Sequence, residues 1–142
     1  MKIIIHRGTK EIGGSCVELC SDKTRIIIDL GMPLVNAQNE RFDSGVLQDK
    51  SIPELISSHI LPNIQGLYAG EQKAVDAILL SHSHQDHYGL LRYINPEIPV
   101  IAVTAFALQE DLEKATAASF DGYVIKPIVK SDLLLKISKV LR

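Results

Sequence analysis

The strongest constraint on this chain is a cluster of metal-competent side chains that follows a short apolar segment. Residues 77 to 80, Ala-Ile-Leu-Leu, are typical of a buried strand, and residues 81 to 89 then read SHSHQDHYG. Three of the chain's five histidines and one aspartate stand there: His82, His84, Asp86 and His87. Imidazole nitrogens and a carboxylate suit a borderline cation such as zinc. The sequence therefore predicts a metal centre at one strand end, against the alternative of a polar loop that is rich in histidine.

These residues match the pattern His-x-His-x-Asp-His, and residues 1 to about 98 resemble the N-terminal half of a metallo-β-lactamase-fold hydrolase. The segments that carry the resemblance are, in order, MKIIIHRGTKEIGGSCVEL, RIIIDLGMPL and AVDAILLSHSHQDHYGLLRYI. The phrase EIGGSCVEL, followed by a strand that ends in Asp-x-Gly, is similar to the ribonuclease J and β-CASP nuclease branch. The resemblance implies a metal-dependent hydrolase, in which a divalent ion activates water and polarises the bond under attack.

The resemblance also implies which residues bind metal. One ion would be bound by His82 and His84, and a second by His87 together with Asp86, the candidate catalytic carboxylate. The family takes further ligands from later in the chain, whereas no histidine follows His87 here. Two protein ligands hold an ion less firmly than three or four, so we expect weak zinc binding at a partial site and little or no turnover. The other imidazoles are expected to be structural or exposed: His6 and His59.

The last part of the chain resembles another family. Residues 96 to 142 resemble the C-terminal half of a response-regulator receiver domain, because Thr104 closes the apolar strand PVIAVT, Lys126 closes the strand YVIK, and Pro127 follows directly. In receivers the threonine and the lysine at these places contact a phosphoryl group, and the Lys-Pro bond is commonly cis. We therefore interpret the chain as a chimera, natural or engineered, joined near residues 95 to 100.

Asp29 leaves a further interpretation open. The segment IIIDLGMPL also resembles the receiver strand that carries the phosphoacceptor, which makes Asp29 a candidate phosphoacceptor in a phosphorylatable receiver. In the metallo-β-lactamase interpretation, Asp29 is instead a structural carboxylate beside the metal loop. Three hypotheses for function follow: a truncated or chimeric metallo-hydrolase with a partial site, a non-enzymatic α/β module, and a receiver.

Strand and helix signals predict an α/β fold with a mixed sheet. Strands are expected at residues 2 to 6, 15 to 20, 25 to 30, 76 to 81, 99 to 104 and 123 to 126. The first three are separated by turn signals, which predicts an antiparallel meander, and the later ones alternate with helices, which predicts parallel pairing. Helices are expected at residues 53 to 60, 88 to 94, 107 to 119 and 132 to 141, the last amphipathic and capped by Ser131. Residues 1 to 98 and 99 to 142 should form one compact domain.

Composition narrows the choice of partners and compartment. A chain of 142 residues with 46% hydrophobic residues can bury a core, and its net charge of -2 offers no basic surface for nucleic acid. The apolar runs are too short to span a membrane, so a cytoplasmic protein is expected. Two half-domains would leave apolar faces uncovered, and a homodimer would cover them. Cys16 and Cys20 are expected to stay thiols, because four residues along a strand is too far for a local disulfide.

Overall fold

A six-stranded mixed sheet is the centre of the structure, a computed structural model that describes residues 1–105 and 120–141. The strands are β1 Lys2–Arg7, β2 Cys16–Cys20, β3 Arg25–Ile28, β4 Ala77–Leu80, β5 Val100–Thr104 and β6 Gly122–Ile125. Their order in the sheet follows the sequence, with two antiparallel pairings followed by three parallel ones. The predicted α/β fold with a mixed sheet is confirmed. The helix expected at residues 107 to 119 lies outside the described residues.

Three α-helices occur within the described part of the chain: α1 Ile52–Ser57, α2 Gln85–Tyr88 and α3 Lys130–Val140. Helix α1 begins one residue before the predicted boundary, with Pro53 in its first turn. It ends at Ser57, three residues before the predicted boundary, because His59 adopts a left-handed φ of 59° and interrupts the helical hydrogen bonds. None of the helices that the structure describes is long and apolar enough to cross a membrane.

Two other helix predictions need correction. The helix expected at residues 88 to 94 is replaced by α2 and a 3-10 turn at Leu91–Tyr93. The break occurs because the Leu90 N–H donates to the carbonyl of Leu30 (3.1 Å) and not to the preceding helical turn. Helix α3 begins one residue before Ser131, which therefore lies inside its first turn, and the N-cap position is occupied by Val129.

The larger core lies on one face of the sheet. Ile27, Ile78 and Val100 are register partners on β3, β4 and β5, and all three are buried. Helix α1 and the segment that follows it cover this face and contribute further buried side chains: Leu55, Leu61, Leu67 and Tyr68. Burying aliphatic side chains of this size contributes about 1.5–3 kcal/mol each, so this face carries most of the packing.

The opposite face of the sheet is covered unevenly. Helix α3 packs Leu133, Ile137 and Val140 against a small cluster on β5 and β6: Ile101, Val103 and Val124. Leu134 on the same helix and Leu141 directly after it are 53% and 40% exposed. Towards β1 this face is open, with Ile3 and Ile5 60% and 56% exposed. The Lys126–Pro127 peptide bond before α3 is cis.

A buried carboxylate joins the first three strands. Glu18 on β2 is 4% exposed; its Oε2 lies 2.7 Å from His6 Nε2 on β1, and its Oε1 accepts a 2.7 Å hydrogen bond from Arg25 Nε on β3. Burial opposes ionisation of Glu18, but the hydrogen bonds from Arg25 and His6 outweigh it and lower its pKa. The carboxylate is therefore a charged contact between the strands.

Glu18 should make stability depend on pH. Because its folded pKa lies below the unfolded value, its stabilising contribution is present above the unfolded pKa and is lost as the pH falls through the folded pKa. We expect Glu18→Gln to lower the free energy of unfolding at neutral pH by about 2–4 kcal/mol and to flatten its decline below about pH 4. Urea unfolding across a pH series measures both effects. The exposed Glu97→Gln is the control, and equal profiles for the two variants would contradict a role for Glu18.

Candidate metal centre

A buried aspartate at the end of β3 holds the loop that follows β4. Asp29 is 2% exposed and has a left-handed φ of 61°, which aspartate adopts more readily than most residues. Its Oδ1 accepts the N–H of Ser81 (2.7 Å), and its Oδ2 accepts the Ser81 hydroxyl (2.6 Å) and lies 2.8 Å from His87 Nδ1. Both carboxylate oxygens are thus hydrogen-bonded within the protein and nearly inaccessible to solvent, and these contacts hold the loop at the end of β3.

Backbone hydrogen bonds fix the same loop independently of its side chains. The carbonyls of residues 85, 86 and 87 accept, in turn, the N–H groups of Met32 (2.9 Å), Ser15 (3.1 Å) and Leu30 (2.8 Å). Three successive residues of the loop are therefore bonded to the segment after β3 and to the residue before β2. These three bonds hold residues 85 to 87 in place through backbone atoms, in addition to the side-chain contacts with Asp29.

Gly31 allows this close approach. A Cβ atom added at Gly31 would lie 1.6 Å from the Asp86 carbonyl oxygen and 2.8 Å from the Ser15 nitrogen. Both are backbone atoms that other hydrogen bonds hold in place, so neither can move aside for a side chain. Glycine is required here for contact and not for an unusual φ angle.

The close contact of Gly31 with the loop backbone should make a side chain at this position costly. We expect Gly31→Ala to destabilise the protein by about 2–4 kcal/mol, because over-packing against fixed backbone costs at least 1–3 kcal/mol. Denaturant unfolding measures the change. Gly122→Ala is the matched control, since the nearest atom to its added Cβ is an Ile101 side-chain carbon at 3.6 Å, an ordinary contact. Equal stability of the two variants would mean that the loop does not lie against Gly31.

The four candidate ligands are arranged as two pairs. In the first pair, His82 Nε2 lies 3.1 Å from His84 Nδ1. Two nitrogens bound to one tetrahedral zinc at about 2.0–2.1 Å are about 3.3–3.4 Å apart, so this pair is nearly spaced for one ion. In the second pair, His87 Nε2 lies 3.5 Å from Asp86 Oδ2. The other nitrogen of His87 is held by Asp29, an arrangement that is usual for a metal-binding histidine.

The donors fit a borderline divalent cation in their chemistry and pairing, but not in their number. Across residues 1–105 and 120–141, no three His, Cys, Asp or Glu side chains come together in a way that would hold a metal ion. The remaining histidines lie elsewhere, since His6 contacts Glu18 and His59 lies beyond α1. Structural zinc sites have four protein ligands and catalytic sites have three. The four motif residues therefore form two pairs, each with fewer protein ligands than a structural or catalytic zinc site has.

The two cysteines do not complete the ligand set. Cys16 and Cys20 are free thiols, as predicted, and Cys16 is buried on β2. Burial raises the pKa of the Cys16 thiol to about 12. Because a cysteine binds metal as its thiolate, this thiol is a core side chain and not a ligand.

Positive charge lies close to the histidine loop. Burial lowers the pKa of His82, and the neighbouring His84, Lys126 and His87 lower it further. Lys126 reaches this position because β4, β5 and β6 are parallel neighbours, and their carboxyl ends meet at one edge of the sheet. Thr104 closes β5 at the same edge, where its carbonyl accepts the Lys126 N–H (3.0 Å).

The sequence analysis did not predict that Ser81 binds the buried carboxylate of Asp29. This serine uses both its N–H and its hydroxyl to satisfy Asp29, and its Oγ lies 3.3 Å from His87 Nδ1. Its place directly after β4 was a usable signal, because the first residue beyond a parallel strand faces the edge where ligands gather.

The fold and this loop together define the class of protein. The family model of the metallo-beta-lactamase superfamily matches residues 9–105. The match covers most of the chain, and it includes β2 to β5 and the whole histidine loop. The chain belongs to the metallo-beta-lactamase superfamily.

Two curated relatives come from Methanocaldococcus jannaschii. An RNase J-like protein is 32% identical over 88 residues, which are 62% of this chain and 14% of that protein. A protein named probable RNase MJ4 is 29% identical over 104 residues, which are 71% of this chain and 18% of that protein. The chain thus spans less than a fifth of the length of these curated relatives.

A solved structure is also similar. The crystal structure of a protein of unknown function from Enterococcus faecalis V583 matches with a TM-score of 0.59 and 26% identity. The match covers 78% of this chain and 27% of that one. The match shows that the two proteins share a fold over this region. The family match ends at residue 105, and the comparisons give no support for a receiver domain in the residues that follow.

Proposed function

We propose that this chain is a partial metallo-β-lactamase-type site of the ribonuclease J branch, which binds zinc weakly and has little or no hydrolytic turnover by itself. The observation that carries the proposal is the 3.1 Å spacing of His82 Nε2 and His84 Nδ1 on a loop whose backbone is fixed. A bound ion would supply a Lewis acid at this edge of the sheet.

Each residue of the site has a separate task in this proposal. His82 and His84 bind the ion, and Asp86 with His87 forms a second, weaker pair. Asp29 orients His87 by accepting a hydrogen bond from its Nδ1–H, which leaves Nε2 free to face Asp86. The ring orientation thus comes from the protein and not from the ion.

For hydrolysis at a complete site of this kind, the proposed substrate is a phosphodiester. Both curated relatives carry RNase in their names. Lys126 adds a positive charge near His82, where a phosphate oxygen would lie if it approached the histidine pair. A complete hydrolytic site would need a third ligand for each ion, and the described residues offer none. We therefore expect binding without efficient chemistry.

Zinc binding tests the proposal directly. Adding zinc to the metal-free protein should raise its unfolding temperature, because a ligand that binds only the folded state stabilises that state. The His82→Ala/His84→Ala double variant should lose this response. Differential scanning calorimetry at several zinc concentrations measures it.

The matched control is His6→Ala/His59→Ala, which also removes two imidazoles but leaves the loop intact. This variant should respond to zinc as the parent does. If the loop variant keeps the parent's response, zinc binds elsewhere and the proposal is wrong.

Hydrolysis is the second test of the proposal. With zinc or manganese present, cleavage of a 5′-labelled single-stranded RNA should be indistinguishable from that of the His84→Ala/Asp86→Ala variant. The physical reason is that two ligands per ion leave its geometry poorly fixed. Gel assays of RNA cleavage over several hours measure the rate. Turnover that disappears in this variant would overturn the claim of inactivity and would mean that other groups complete the site.

The receiver-like interpretation of residues 96 to 142 is a secondary proposal. In its favour, β5 and β6 are adjacent and parallel, and Thr104 and Lys126 close them at the same edge. In this view the C-terminal part supplies the covering helix α3 and no phosphorylation chemistry. A second copy of the chain, packed on the open face around Ile3 and Ile5, is the proposed homodimer.

A further inference from the structure

A separate cleft of about 810 Å³ lies on the surface beside the loops that follow β1 and β3. Its walls are residues 9 to 12, residues 33 to 39 and the segment at the end of α1. Small-molecule sites in proteins are commonly about 300–1,000 Å³. The cleft therefore has the size of a ligand site, and none of the four candidate metal ligands lines it.

The charge of the cleft is positive. Lys10 and Lys50 line it and are exposed, and neither forms an ion pair with any residue that the structure describes. Glu11 is the one carboxylate among the lining residues, and it is already paired with Arg7 through contacts of 2.5 and 3.0 Å. Two lysines thus line the cleft without a direct ion-pair partner among the described residues, although the whole chain carries a net charge of -2.

Glu54 lies near Lys50 and is a negative charge beside this lysine. The Glu54 carboxylate is occupied at the start of α1, where its Oε2 accepts the Ser51 N–H (2.7 Å) and hydroxyl (2.6 Å). Glu54 does not line the cleft. Lys50 and Glu54 do not form a direct ion pair, so the Lys50 ammonium can approach an anion in the cleft, although the Glu54 charge offsets part of the attraction.

Apolar side chains form another part of the lining. Ile12 and Val46 are 57% and 37% exposed, and Phe42 is half-buried between the cleft and the core. The Phe42 backbone is held by a 2.9 Å hydrogen bond from its N–H to the Leu34 carbonyl. Exposed apolar side chains beside unpaired cations are suited to a ligand that has both a flat apolar body and an anionic group.

We propose that this cleft binds a phosphorylated nucleoside. The phosphate lies between Lys10 and Lys50, and the base packs against Phe42 and Ile12. A phosphate attracts two ammonium groups strongly in a partly enclosed site, and an aromatic ring offers a stacking surface to any base. The inference goes beyond the proposed hydrolase function, because it requires neither zinc nor the histidine loop.

The cleft is nevertheless close to that loop. Gly13 follows the lining residue Ile12 in the chain and lies close to the loop, because a Cβ atom added at Gly13 would lie 3.1 Å from Asp86 Cβ. A free nucleotide would occupy the cleft alone, whereas one unit of a single strand would leave its neighbours near the loop. A free nucleotide and one unit of a strand offer the cleft the same phosphate and base, and they differ only in the length of the ligand.

The test is isothermal titration calorimetry of the whole chain in EDTA, so that no metal-mediated binding contributes. The probes are AMP, adenosine, inorganic phosphate and a 5′-phosphorylated tetrauridylate. AMP should bind, and adenosine and phosphate should each bind about tenfold more weakly or worse, since each lacks one half of the contacts. Tighter binding of the tetrauridylate than of AMP would identify a strand as the source, and equal or weaker binding would identify the free nucleotide.

Variants locate the binding. Lys10→Ala/Lys50→Ala should weaken AMP binding by about tenfold or more, while the matched control Lys2→Ala/Lys23→Ala, which removes two lysines outside the cleft, should bind as the parent does. Phe42→Leu should weaken AMP but not phosphate. Thermal unfolding checks that each variant is folded. If the Lys10→Ala/Lys50→Ala variant is not folded, the single variant Lys50→Gln is measured in its place.

The proposal is wrong if AMP does not bind, if both lysine pairs have the same effect, or if AMP binds no better than phosphate. The result is independent of the zinc experiment, because the His82→Ala/His84→Ala variant should bind AMP as the parent does. Failure of nucleotide binding and failure of zinc binding can therefore be told apart.

Discussion

The buried carboxylate of Asp29 ties the end of β3 to the loop after β4, and the arrangement of the strand ends depends on it. An ionised carboxylate loses several kcal/mol of solvation on burial unless donors replace water. Ser81 and His87 are those donors, with three contacts of 2.6 to 2.8 Å. The contacts that offset desolvation also set the orientation of a candidate ligand. Stability and ligand geometry therefore cannot be separated at this residue.

The sheet has one closed face and one that is only partly covered. Helix α3 covers β5 and β6, whereas Ile3 and Ile5 on β1 remain exposed. The family match ends at residue 105, so the helix that covers this face lies beyond it. The candidate metal centre is also incomplete, because each pair offers two protein ligands, whereas zinc sites in proteins have three or four. The core that supports the loop is nevertheless well packed.

Local patterns in the sequence were sufficient for the strands and for the metal-competent residues. Alternation and turn signals placed every strand to within two residues, and the choice of His82 to His87 required only residue chemistry. The failures arose from contacts distant in sequence. The helix expected at residues 88 to 94 breaks because Leu90 bonds to Leu30, and the need for Gly31 arises from a backbone about 55 positions away. No local pattern contains such contacts.

Residues 85 to 87 are held through their carbonyls, and this has a consequence for how such a protein can change over generations. Carbonyls are common to every amino acid, so the course of the loop does not record which side chains it bears. His84 or Asp86 could be exchanged for another donor, or lost, while the chain continued along the same path. At residues 84 and 86, unlike at His87, the shape of the loop and the chemistry of its side chains can therefore vary independently.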